Sequence, residues 1–142
     1  MRSGAPAGYS GKPLAVKLGV KAGMTVTAID APPQYRALLR PLPQGTRVAT
    51  RLTHDGGALD FIHYFATARR MLATRFAALE RALAPAGALW VSWPKGSSGV
   101  STDLTENVVR EIGLAHGLVD VKVCAVDDTW SALKFVRRLK DR

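Results

Sequence analysis

Between residues 69 and 93 an amphipathic helical pattern runs directly into an unbroken apolar one, and this juncture constrains the fold more than any other feature. Met71, Leu72, Phe76, Leu79 and Leu83 recur at helical spacing, with Arg70, Arg75, Glu80 and Arg81 between them. The spacing predicts a helix over 69–84 with one buried face, ended by Pro85 and Gly87. Residues 88–93 (ALWVSW) are then apolar without alternation, as in a strand buried on both faces near the centre of a parallel sheet. The same alternation of types recurs along the chain. Pro13 opens and Gly19 closes a short helix, and 24–30 (MTVTAID) reads as a strand stopped by Pro32 and Pro33. A short helix over 34–42 precedes an edge strand at 47–52 (RVATRL) and a third strand at 59–65 (LDFIHYF). A Gly/Ser loop over 94–102 leads to a helix at 105–115. Strands at 121–127 and 131–138 then close the chain as a hairpin. This order predicts an α/β, Rossmann-like three-layer domain: a mostly parallel sheet of about six strands with a C-terminal antiparallel hairpin. One joint is awkward. Only the residues from Thr53 to Leu59 separate the second and third strands, fewer than a parallel crossover normally takes, so the second strand is expected to be very short or antiparallel.

The 142 residues, 47% of them hydrophobic, suffice for one domain with a real core over 13–142. Residues 1–12 are expected to form a flexible arm. No apolar run reaches the ~18 residues of a membrane span, and no secretory leader is visible, so no membrane partner is expected. Cys124 is the only cysteine, which excludes an intramolecular disulfide and suits the cytoplasm. The net charge of +9 invites a polyanion. The arginines are scattered, however, and only Lys134, Arg137, Arg138, Lys140 and Arg142 form a dense run. Non-specific nucleic-acid binding through this tail is therefore the most that the charge predicts.

Two segments resemble class I methyltransferases. Residues 18–26 (LGVKAGMTV) are similar to the lead-in to their first strand, and 83–91 (LAPAGALWV) to the turn between their fourth helix and fifth strand. Over nearly its full length the chain also resembles a bacterial family, domain of unknown function 3052. The strings that carry this are 8–14 (GYSGKPL), 93–95 (WPK), 102–110 (TDLTENVVR), 117–120 (GLVD), 122–127 (KVCAVD) and 129–131 (TWS). That resemblance implies the fold and brings no activity with it.

Methyltransferases of this class bind their cofactor at a glycine-rich turn after the first strand. Here the strand ends Ala28-Ile29-Asp30-Ala31-Pro32-Pro33, with no glycine and with two prolines. An adenosylmethionine-dependent methyltransferase is accordingly not expected, and neither are adenosylmethionine binding, a dinucleotide site or any cofactor. The histidines (54, 63 and 116) have no metal-ligand spacing, and no metal site is expected. The best site is the loop after the central strand, where open α/β sheets bind ligands and where the next helix offers free N–H groups. A small anionic ligand is expected there on Lys95, Gly96, Ser97, Ser98, Thr105 and Asn107. Asp30, Trp93, Asp127 and Trp130 form its rim, where Asp30 and Asp127 either pair as carboxylates or simply close turns at the ends of their strands. The expected function is a non-catalytic domain that binds a small ligand or a protein. The alternatives are an enzyme using the loop 94–105, or a basic nucleic-acid-binding module.

Overall fold

A computed structural model describes residues 12–52 and 57–142, so the expected arm, Lys12 apart, and His54 lie outside the described residues. α1 (Leu14–Leu18) follows Pro13 and ends at Gly19, whose φ of 85° only glycine adopts without strain; Val20 N–H then closes the turn on Ala15 O at 2.9 Å. The remaining elements are β1 (Thr25–Ile29), α2 (Tyr35–Leu38), β2 (Arg47–Ala49), β3 (Leu59–Phe65), α3 (Arg69–Ala82), β4 (Leu83–Pro94), α4 (Glu106–Ala115), β5 (Leu118–Ala125) and β6 (Trp130–Arg137). Short 3-10 turns occupy Gly96–Ser98 and Leu139–Asp141. No helix of the described residues is long and apolar enough to cross a membrane.

The six strands form one sheet in the order β2-β1-β3-β4-β6-β5. β2, β1, β3 and β4 are mutually parallel, and β6 runs antiparallel to both β4 and β5. The awkward joint is resolved by brevity. β2 is parallel to β1 but has only three residues, paired Thr25↔Arg47 to Thr27↔Ala49. The return to β3 therefore has only a short strand to retrace while crossing two strand spacings, about 10 Å.

Alternation along the central strands builds two cores. Ile62, Tyr64, Leu89, Val91, Leu133 and Phe135 pack against Leu72, Phe76 and Leu79 of α3 and Val109 of α4. Phe61, Phe65, Trp90 and Ala132 face Ala15 and Leu18 of α1 and Tyr35 of α2. Each fully buried large side chain contributes about 1.5–3 kcal/mol relative to exposure. α4 owes its close seat to Gly113, where a Cβ would stand 2.1 Å from Phe135 Cε1. The expected turn at Pro85–Gly87 is a bulge within β4, with the register passing from Leu59↔Leu83 to Phe61↔Ala88. Gly87 is needed there because a Cβ would lie 2.8 Å from Leu59 O. β5 begins three residues earlier than the apolar pattern predicts, because Gly117 at φ 85° turns the chain straight from α4 into the sheet.

Candidate functional site

The strand order reverses at β1, which leads to β2 on one side and has β3 on the other. A crevice opens outside the carboxyl ends of the strands at such a switch point. Asp30 stands there, directly after β1, with φ 57°, in the left-handed region that L residues other than Asn and Asp rarely enter. The exposed Asp30 lines two clefts. One, of about 390 Å³, is walled by Ala28, Ala31, Pro32, Tyr35, Arg36 and Thr50 among others. The other, of about 330 Å³, is lined by Tyr64, Arg70, Met71, Thr74 and Arg75. Arg36 is tied to the neighbouring strand by donating from Nη2 to Val48 O at 3.3 Å. Thr50 lies just past β2, twenty residues after Asp30. Dinucleotide-binding folds place a ribose-binding carboxylate at about that interval; here a hydroxyl is offered.

Behind the larger cleft runs a buried polar chain. Tyr35 Oη lies 2.8 Å from His63 Nδ1, and His63 Nε2 lies 2.7 Å from Ser92 Oγ. Complete burial pushes the His63 pKa down to about 3, and burial holds the Tyr35 phenol protonated far above its ordinary range. A neutral imidazole donates through one nitrogen and accepts through the other, so one of the two hydroxyls gives His63 a proton and the other receives one. His63 also stacks on Phe65, with centroids 4.3 Å apart, and Phe65 meets the edges of Tyr35 and Trp130 at 5.4 and 5.0 Å. The cleft wall is thus fixed by α2, β3 and β4 together.

The residues singled out in the sequence fall in several places. Lys95 starts the turn after β4, where its N–H donates to Thr129 O at 2.7 Å, and Gly96, Ser97 and Ser98 form that turn. Thr105 caps α4 through Oγ1, which accepts from Val108 N–H, and Asn107 Oδ1 accepts from Arg110. Among the described residues no hydrogen bond joins Lys95, Gly96, Ser97 or Ser98 to Thr105 or Asn107. The intervening stretch is tied to the start of α3 and the residues just before it instead: Asp103 Oδ1 accepts from Arg69 N–H at 2.7 Å, and Thr102 Oγ1 donates to Thr67 O at 2.6 Å. Trp93 and Trp130 do not share a rim. Trp93 is in the core under α3 and α4, whereas Trp130 packs on Phe65 on the opposite face. Asp127 closes the β5–β6 turn, its Oδ1 accepting from Thr129 and Trp130 N–H at 2.9 and 2.8 Å. Three strand spacings, about 14 Å, separate β6 from β1, so Asp127 and Asp30 are not a carboxylate pair. Cys124 is half-buried in β5, and burial pushes its thiol pKa up. Sequence reasoning missed Tyr35, Arg36, Thr50, His63 and Ser92. Only Thr50 left a signal, in its distance from Asp30.

No family model matches the chain, so the resemblance to domain of unknown function 3052 has no such match behind it. No curated protein matches it either. Solved structures do share its fold. A SAM-dependent methyltransferase from Aquifex aeolicus is 14% identical, with 86% of each chain covered and a TM-score of 0.63. The B. subtilis M1A22 tRNA methyltransferase TrmK is 13% identical over 89% of this chain and 66% of its own, at 0.56. The magnesium protoporphyrin IX methyltransferase of Synechocystis PCC 6803, solved with bound SAM, is 12% identical over 88% and 74%, at 0.55. These likenesses overturn two expectations, that of a non-catalytic binding domain and that of an unlikely adenosylmethionine-dependent methyltransferase. The physical reason is Asp30. A glycine is not needed to turn the chain after β1, because Asp30 itself takes the left-handed backbone there. The chain has the Rossmann-like fold of class I, SAM-dependent methyltransferases.

Proposed function

We propose that the chain is an adenosylmethionine-dependent methyltransferase with its cofactor in the larger cleft at Asp30. The observation that carries the reading is the position of left-handed Asp30 at the switch point of the sheet, on the wall of both clefts. The residues present fit the group. Asp30 offers a carboxylate to its ammonium or sulfonium, Arg36 a guanidinium to its carboxylate, and Thr50 a hydroxyl to its ribose. Ala28, Ala31, Pro32 and Val48 offer small apolar surface to its adenine. Bound there, adenosylmethionine supplies a methyl group on a sulfonium, which leaves as a neutral thioether when an acceptor's lone pair takes the methyl. The chain's own contribution is positioning. Tyr35 is locked by His63 and Ser92, so the wall is preorganised and a ligand meets a single arrangement of polar groups. Because Asp30 borders both clefts, a ligand it holds is open to the edge from which an acceptor approaches.

Calorimetry with adenosylmethionine tests the reading. The protein should bind it with a dissociation constant in the micromolar range. Asp30→Asn keeps a residue tolerant of the left-handed region but removes the charge, and should weaken binding tenfold or more, about 1.4 kcal/mol. No heat from the unaltered protein at millimolar cofactor, or equal binding by Asp30→Asn, would contradict it.

A further inference from the structure

A third cleft, of about 460 Å³, lies at the other end of the same carboxyl edge, beside the sheet's last strand, β5. Its lining includes Lys12, Lys17, Lys122, Cys124, Ala125 and Ser131. Lys17 is only 8% exposed; its ammonium, which has three N–H donors, gives one to Ala125 O at 3.1 Å. Lys122 donates to Lys17 O at 2.8 Å. Lys122 and Lys134 are directly paired across β5 and β6, an arrangement of like charges that destabilises a sheet. Burial first, and then the neighbouring ammonium groups of Lys122 and Lys21, lower the pKa of half-buried Lys134. Three lysines from the α1 region and β5 thus line one cleft, with Lys134 paired to Lys122 beside it and Lys21 within electrostatic reach of Lys134. Between this cleft and the Asp30 clefts runs the aromatic row Tyr35–Phe65–Trp130, and Ser131, next after Trp130, lines the lysine cleft.

We propose that the lysine cleft holds the phosphates of a single-stranded nucleic acid, led along the carboxyl edge past Trp130 toward the Asp30 clefts. Concentrated positive charge calls for an anion. The net charge of +9 favours a polyanion and repels a second copy of the chain from the open β5 edge. A half-exposed indole beside a phosphate track is the pairing that single strands use, since every base has a face to stack. That the strand is a substrate rests on the methyltransferase reading; that it binds does not.

The test is anisotropy of a labelled single-stranded oligouridine over a range of salt. Lys12→Ala/Lys21→Ala removes two exposed charges, and Lys122→Gln a third that also closes the end of α1. The double variant should bind at least fivefold more weakly and lower the slope of log affinity against log salt by about 1–2, with a further loss on adding Lys122→Gln. Arg138→Ala/Lys140→Ala, in the exposed tail, should change the slope much less. Four results would overturn the proposal: no binding, an unchanged slope in the double variant, an equal loss in the tail variant, or pyrophosphate binding as tightly as the oligomer. Calorimetry with adenosylmethionine on the same samples keeps the two readings apart. Lost strand binding beside intact cofactor binding removes this inference alone, and the reverse removes the methyltransferase reading alone.

Discussion

At the scale of single residues, two groups carry the account. Asp30 holds a backbone conformation costing an ordinary residue about 1–2 kcal/mol, and strain of this kind gathers at functional turns. Asp30→Gly should therefore leave stability unchanged or raise it by up to about 1 kcal/mol in urea denaturation, while weakening cofactor binding. A loss of stability would show that the carboxylate serves the fold. His63 makes a prediction about pH. Unfolded, it takes up a proton near 6.5; folded, it stays neutral down to about 3. Between those values the unfolded chain binds the extra proton, so stability falls as pH falls, by about 1.4 kcal/mol per unit from this group. The His63 Hε1 resonance should hold its neutral position as the folded protein is taken from about pH 8 to about pH 4. A midpoint near 6 would place the ring in contact with water. Neither role was legible in the sequence. Glycine was the expected mark of a tight turn, and an aspartate doing the same job carries no such mark. Tyr35, His63 and Ser92 stand far apart in the chain and meet only through the pairing of β3 with β4 and the packing of α2 on the sheet.

At the scale of elements much was legible. β3 and the start of α3 fall where the sequence places them, β3 as an apolar run buried on both faces and α3 by the helical period of its one buried face. The ends were harder. Residues 83–87 join β4 through a bulge, since strand pairing there outweighs the Pro-Gly turn signal. The tail's dense basic run is split by the fold. Lys134 belongs to the lysine cluster, whereas Arg137 Nη2 donates to Glu80 O and Leu83 O, holding the end of α3. The seat of α4 can be tested directly. Gly113→Ala would drive a methyl into the Phe135 ring, and overpacking of this kind costs more than the helix propensity alanine adds. Urea denaturation should show a loss of about 2 kcal/mol, and a stabilised variant would mean that Phe135 has room to move.

At the scale of the molecule the sheet has one arrangement that matters most. The reversal of strand order at β1 puts an exposed carboxylate between two clefts, and the opposite end of the same edge carries the lysines. The sequence showed the alternation of helices and strands that makes such a sheet, but not which end would collect charge, because Lys17, Lys122 and Lys134 come from three separate elements. It also pointed to the loop after β4 for the ligand, whereas the clefts at the switch point lie at Asp30. A crystal structure of the complex with S-adenosylhomocysteine separates these places most directly. Density for the whole ligand is expected in the Asp30 cleft, with Arg36 and Thr50 in contact. A ligand seated instead on the turn at Lys95 and the start of α4, with the Asp30 cleft empty, would contradict it.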